Sequence, residues 1–373
     1  MGYTERIELY KTVEKLRKRP LIVYATSYRQ NASAQMGGDV VLEFSRQLEK
    51  IPSDKKEVDI LIVSNGGDPT VSWHLISMLK DRFKRIGALL PYSAYSAATL
   101  FALGADEILM HPFSNLGPVD PQLTYKKKEN ESVHFGSEDL RHFMNYVKKE
   151  VGISDQKQLE KAFELVCQDV GAIPIGVAKR SSSLALSMSE KLLSLNMKDS
   201  NKAKAIAEQL NTSFYHHGYP LDRKEAKTIG LNIVEPEAKI EKAMWAIWQN
   251  IELEMKCAEP FSPLEEVFTD PVIKTALTST QVINLPSNAP PHIVQQVYQN
   301  IISQLAIIDI PGKDYELFQA TLESIYCRSE FRTNGIISAS RRPDFSIAVN
   351  VLKTSSRWYF LEEEKGVEDV SNE

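Results

Sequence analysis

Asp59-Ile60-Leu61-Ile62-Val63-Ser64-Asn65-Gly66-Gly67-Asp68 decides the fold. Its first half is an apolar run of the kind that fills a parallel strand buried on both faces. Its second half is a turn in which two glycines let the backbone bend sharply and leave N–H groups unobstructed by a Cβ. Val71, Leu75, Ile76 and Leu79 then recur at helical spacing. Downstream, Gly87 to Tyr92 reads as a strand, Ala97 to Leu103 as a helix stopped by Gly104, and Glu107 to His111 as another strand. Upstream, Leu21 to Ala25 is a short apolar run. Asp39 to Lys50 places Val40, Val41, Phe44 and Leu48 on one helical side. Strands and helices in alternation predict βαβ units with right-handed crossovers, an α/β fold.

The remainder divides into three parts. Residues 137–210 read as helical. Asp222-Arg223-Lys224-Glu225 has capping-box spacing, Gly230 is a helix stop, and Val234 to Glu252 continues as a Trp-bearing helix. After Cys257, prolines at 260, 263, 271, 286, 290 and 291 mark linking segments around short helices. Thr321 to Arg328, Gly335 to Ser340 and Phe345 to Leu352 read as strands, with Arg357 to Phe360 a fourth. Strict alternation of Phe345, Ile347, Val349 and Val351 marks a half-buried antiparallel strand. Glu362 to Glu373 is acidic and expected to be disordered. This organisation predicts a core domain at 1–256 and a C-terminal extension at 257–373 with a small strand-rich unit.

Composition narrows the function. Among 373 residues the formal net charge is −5, and the Lys and Arg are interspersed with acids, which is no nucleic-acid footprint. Cys167, Cys257 and Cys327 are widely spaced and odd in number, which argues against a disulfide framework or a zinc site and for a reducing compartment. The acid- and base-rich start of the chain has no signal-peptide character. No stretch of about 18 residues is uninterruptedly apolar. Ile86 to Leu103 comes nearest, but Pro91, Ser93 and Ser96 make it a buried strand plus helix. A cytoplasmic protein without membrane or nucleic-acid partners, metal or cofactor is expected.

Four features could form an acyl-transfer site. The Gly66-Gly67 turn can aim backbone N–H groups at an oxyanion, although the pair would serve equally as a strand-to-helix turn. Ser96 opens the small-residue helix Ala97-Ala98-Thr99-Leu100, where the helix N-terminus supplies positive potential. Taken alone, Ser96 reads better as a simple N-cap in a tightly packed helix. Ser93 is its nearest rival, earlier in the turn and without small residues directly after it. A serine nucleophile needs a base. Of the seven histidines, His216 and His217 stand beside Gly218 on a loop, where either could reach a cleft or simply lie on the surface. Asp120 lies between Pro118 and Pro121 in a stiffened loop, placed either as a turn residue or as the carboxylate that orients a histidine.

Gly66-Gly67, Tyr95 to Ile108, Leu116-Gly117-Pro118-Val119-Asp120-Pro121-Gln122, His217-Gly218, Glu225-Ala226-Lys227 and Gly230-Leu231 together carry a resemblance. Over roughly residues 5–250 the chain resembles the serine dehydrogenase proteinase family, a branch of the Clp-protease and crotonase-like superfamily. The resemblance implies a βαβ spiral core and an ATP-independent serine peptidase with triad order Ser, Asp, His. Carried onto this sequence, Ser96 is the nucleophile, Asp120 the orienter and His217 the base. The N–H groups of Gly67 and Ala97 form the oxyanion hole. No cofactor or metal is implied. One departure is Ala98, where the family pattern leads to glycine.

The leading expectation is thus a serine endopeptidase that acts on a peptide or protein substrate and, by analogy with its superfamily, assembles as a homo-oligomer. An acyl-CoA-binding crotonase-like enzyme would use a similar oxyanion hole, but with carboxylate acid/base groups. A third reading is a Clp-like scaffold with a relaxed site that binds a partner through its C-terminal strands.

Overall fold

The apolar runs become strands of one sheet. The computed structural model describes residues 2–126, 132–212, 214, 216, 218–279, 290–304 and 307–361. Helix α1 (Tyr3–Arg17) leads into β1 (Leu21–Thr26), and α2 (Val40–Lys50), β2 (Glu57–Val63), α3 (Pro69–Arg82) and β3 (Arg85–Leu90) follow. A two-residue strand β4 (Ser93–Ala94) precedes α4 (Ala97–Leu103), then β5 (Glu107–Met110) and β6 (Asn115–Leu116). The hairpin β7 (Gln122–Lys126) and β8 (Ser132–Gly136) introduces α5 (Ser137–Lys149), α6 (Gln156–Val170), α7 (Ala172–Leu193) and α8 (Ser200–Thr212). Next come α9 (Arg223–Thr228), β9 (Ile233–Val234) and α10 (Ala238–Glu254). The C-terminal part adds α11 (Pro263–Phe268), α12 (Pro271–Thr278) and α13 (Pro291–Gln304). Three long strands close it, β10 (Ile308–Glu323), β11 (Arg328–Arg341) and β12 (Ile347–Leu361).

Strands β1, β2, β3, β5 and β9 run parallel and side by side, as the alternation of strands and helices predicts. Successive residues of a strand face opposite sides. Ile22, Tyr24, Ile60, Ile62, Ala88, Leu90, Ile108 and Met110 accordingly share one core with α2, α3, α4, α7 and α8. Leu21, Val23, Ala25, Leu61, Val63, Leu89 and Leu109 share the other with α1 and α10. Helix α10 presents Ile240, Ala243, Met244, Ile247, Trp248 and Ile251 at helical spacing to that second core. Burying such a side chain contributes about 1.5–3 kcal/mol.

Asp59 sits inside a buried strand because its charge is met. Asp59, Gly87 and Glu107 are neighbours across β2, β3 and β5. Arg17 reaches over Gly87 to both carboxylates, bonding Asp59 Oδ2 through Nε at 2.7 Å and Glu107 Oε1 through Nη2.

The C-terminal strands differ from expectation in two ways. Three long strands replace four short ones. Thr321 to Arg328 straddles the β10–β11 turn, which Ser324 N–H closes on Cys327 O at 3.0 Å. The third expected strand and the fourth are both parts of β12, except Phe345, which turns at φ 64°, and Ser346. Ser355 and Ser356 in its middle read as a break, yet both pair with β11. The second difference is where the strands go. Strand β10 runs antiparallel to β1, with Val23 opposite Glu323 and Thr26 opposite Ala320, so all three extend the core sheet. Val234, expected to begin a helix, instead ends β9 beside β5. The acidic residues 362–373 lie outside the described residues.

A buried ionic cluster ties this junction together. The Arg6 guanidinium donates to Glu323 at 2.9 and 2.6 Å and also meets Glu254, while Tyr10 donates to Glu323 at 2.5 Å. Arg6 and Glu323 are both fully buried.

Candidate active site

Two turns at the tips of β2 and β4 are stitched edge to edge. Ser64 N–H donates to Ser93 O at 3.0 Å, and Tyr95 N–H donates to Ser64 O at 2.9 Å. This places the Asn65-Gly66-Gly67 turn directly against Tyr95-Ser96-Ala97. The contact needs glycine: Gly66 has φ 95°, and a Cβ there would lie 2.6 Å from Tyr95 O. Gly67, at φ 154°, faces the backbone of Met36 so closely that a Cβ would lie 2.3 Å from Met36 O. Met36 N–H donates to Gly66 O at 2.8 Å and Met36 O accepts from Asp68 N–H at 2.9 Å. Among the described residues, no protein acceptor takes the Gly67 N–H.

Ser96 is the N-cap of α4 and has φ 51° and ψ −113°. A non-glycine side chain in such a region is held there by its surroundings, at a cost of about 1–3 kcal/mol, and this kind of strain clusters at functional sites. Ala97 is the first residue of α4, where N–H groups have no intrahelical acceptor. Ser93 is buried in β4 and paired with Asn115, away from the cavity lining.

Ser96 opens on a cavity of about 390 Å³. Asn65, Gly67 and Asp68 form one wall, Val119, Pro121 and Gln122 another, and Ser181, Leu184 and Ala185 of α7 a third. Ala98 is buried in the core and does not line the cavity.

The Asp120 loop is joined to the serine turn by β6. Gly117 N–H donates to Ala94 O at 2.9 Å, and the Thr99 hydroxyl spans Ala94 O and Gly117 O at 2.8 and 2.9 Å. Asp120 is 8% exposed, its Oδ2 accepts from Gln122 Nε2 at 2.8 Å, and its neighbours Val119 and Pro121 face the cavity. The loop after α8 is pinned to the same segment. Val119 N–H donates to Leu210 O at 3.0 Å, and Leu116 and Leu221 exchange bonds at 3.0 and 2.9 Å. His216 and His217 lie between these anchors. His216 is exposed and its Nδ1 accepts from Gly218 N–H at 3.0 Å, so it is engaged in its own turn. His217 lies outside the described residues.

The structure therefore brings Ser96 and Gly67 to one cavity, with Ala97 directly behind Ser96 and Asp120 on the adjoining loop. Sequence reasoning missed Gln35 and Met36, which precede α2, and the α7 wall. The α7 signal was available as the small residues Ser181, Ala185 and Ser189, spaced four apart on one side of the helix. Nothing in the local pattern around Met36 marks its pairing with Gly67. Among the described residues, no group of three or more His, Cys, Asp or Glu is placed to hold a metal ion, and no helix is long and apolar enough to cross a membrane.

Residues 18–132, which contain the glycine turn, Ser96 and Asp120, match the family model of the ClpP-like SDH-type serine proteinases. The resemblance to the serine dehydrogenase proteinase family holds over this segment. The uncharacterized protein MJ1495 of Methanocaldococcus jannaschii is 26% identical over 250 residues, 62% of this chain and 75% of that protein. Among solved structures, the 1510-N membrane-bound stomatin-specific protease is 15% identical with TM-score 0.35, covering 60% of this chain and 84% of that one. ClpP1 from Listeria monocytogenes is 14% identical with TM-score 0.28, covering 62% and 97%. The SDH-type match supports a serine peptidase as the general class.

Proposed function

We propose that this chain is an ATP-independent serine endopeptidase. The observation that carries the reading is one juxtaposition. Ser96, strained at the head of α4, shares a cavity with the amide-bearing Gly66-Gly67 turn, within the segment that matches the SDH-type model. In the proposed mechanism Ser96 Oγ attacks the scissile carbonyl carbon while His217 accepts the hydroxyl proton. The oxyanion is held by the Gly67 and Ala97 N–H groups. Collapse breaks the C–N bond, and His217 gives its proton to the leaving amine. Water, deprotonated by His217, then hydrolyses the acyl-enzyme. Asp120 orients His217. The pinning of both ends of the 210–221 segment to the Asp120 loop supports that pairing, and the engagement of His216 with Gly218 favours His217 over His216.

The substrate is a peptide or an extended protein segment. The chain is further proposed to act as a homo-oligomer: α6 has no buried residue, and its Phe163 and Leu165 are 46% and 57% exposed.

Labelling with a fluorophosphonate probe tests the proposal. Wild type should label, and Ser96→Ala and His217→Ala should not. An unlabelled wild type, or a labelled Ser96→Ala, would overturn it.

A further inference from the structure

Residues 27–39, between β1 and α2, reach the site at two points. Gln35 lines the cavity, and Met36 brackets Gly67 through its bonds to Gly66 O and Asp68 N–H. Apart from the Met36 bridge the segment forms no helix or strand before α2, so its position is set by what it is tied to.

Most of those ties go to the far end of the chain. Ser27 N–H donates to Gln319 O at 2.7 Å, and Gln319 Nε2 donates to Ser33 O at 3.1 Å. Phe261 N–H donates to Gln30 O at 2.9 Å, and Asn31 Nδ2 returns a bond to Phe261 O at 3.0 Å. Arg29 Nε donates to Glu259 O at 2.7 Å. Trp358 Nε1 donates to Asp39 Oδ2 at 3.0 Å, beyond Met36. Ala32 is buried in a third core with Phe261, Tyr315, Leu317 and Ile337. Gln319 is itself oriented by a row across three strands. Thr333 Oγ1 donates to Gln319 Oε1 at 2.5 Å and lies 2.8 Å from Ser356 Oγ.

We propose that the C-terminal unit, through Gln319 and Trp358, positions the 27–39 strap and with it the Gly66-Gly67 turn. The inference rests on the peptidase reading for its catalytic meaning. Among the described residues, none of 257–361 lines the cavity, so Gln319 and Trp358 are positioning residues that act through Met36. The geometry makes the dependence steep. A misplacement of about 1 Å can cost roughly 100-fold in rate, and loss of one oxyanion donor about 100- to 1000-fold.

Gln319→Leu and Trp358→Phe test the inference, with Tyr3→Phe as control. Tyr3 donates to Ser324 O at 2.6 Å, so its variant loosens the same junction without touching the strap. Amide hydrogen exchange at Met36 and Asp68 should quicken about 10-fold in the first two variants and stay unchanged in Tyr3→Phe. Fluorophosphonate labelling and kcat should fall about 10-fold in the same two, with KM within about two-fold, as expected when only transition-state contacts are lost. Unchanged exchange in both variants, or equal quickening in Tyr3→Phe, would overturn the inference. A wild type that does not label defeats the peptidase reading separately, and the exchange data still decide whether the strap is held from the C-terminal unit.

Discussion

Gly66 and Ser96 meet across two turns: a Cβ on Gly66 would lie 2.8 Å from the Cβ of Ser96 and 2.9 Å from Ala97 N. Neither neighbour can retreat cheaply, because both turns are stitched together through Ser64. Gly66→Ala should therefore push the serine turn out of register. Labelling by a fluorophosphonate should fall at least about 100-fold, and thermal unfolding should show a loss of about 1–3 kcal/mol for the strained φ.

Ser96 itself gives an opposite sign. At φ 51° its side chain is accommodated under strain that glycine does not feel. Ser96→Gly should be more stable than Ser96→Ala by about 1 kcal/mol, although both lose the proposed nucleophile. Chemical denaturation of the two variants decides this. Equal midpoints would mean that the turn is not strained in solution.

The two adjacent histidines separate by substitution. Under the proposed mechanism activity should fall as the pH is lowered through the range in which histidine protonates, since imidazolium cannot accept the Ser96 proton. His217→Ala should abolish turnover at every pH. His216→Ala, which removes a group bonded only within its own turn as far as the described residues go, should keep the wild-type profile within about three-fold.

His111 predicts a pH dependence of stability rather than of rate. It stacks on Trp245 at 5.2 Å, and its Nδ1 accepts from Phe113 N–H at 3.1 Å. Burial holds its imidazole below the ordinary 6.5, Glu241 opposing and Arg223 adding to the effect. On acidification the unfolded chain takes up a proton before the folded one does, so this contribution is present above 6.5 and is lost as the pH falls towards the folded value. His111→Gln should flatten the slope of urea-unfolding free energy below pH 6.5.

The Arg6–Glu323 pair should tolerate replacement of neither partner alone. Both are fully buried; removing Arg6 strands Glu323, and removing Glu323 leaves Arg6 only the partly exposed Glu254. Glu323→Gln should lower stability by about 3–5 kcal/mol in denaturant titration, more than Lys11→Gln at the exposed Lys11–Glu8 pair, where about 0–1 kcal/mol is expected.

The parallel core was legible because each strand is a saturated apolar run. Leu21–Ala25 and Asp59–Val63 have the composition of strands buried on both faces, and Ala97–Leu103 is bounded by Ser96 and Gly104, which set its ends. The C-terminal strands were recognisable as strands, but not in their lengths. Polar residues interrupt the apolar alternation while being satisfied across strands, Asn334 by Ser355 and Tyr359, and Ser356 by Thr333. That β10 would pair with β1 was hidden for a different reason. Both faces of a sheet leave their mark on composition, but the choice of neighbour at an edge does not, because backbone hydrogen bonds carry no side-chain signature. The same applies to Met36 beside Gly67.

The sheet order also has a consequence for timing. Strand β1 is made some 280 residues before its antiparallel neighbour β10. Until then one edge of the parallel core carries unpaired backbone groups, a surface prone to off-pathway pairing. Ser96 and the glycine turn are made more than 250 residues before Trp358, the last of the strap's anchors. A growing chain would thus carry the Ser96 turn long before the 27–39 strap beside Gly66-Gly67 is fully braced.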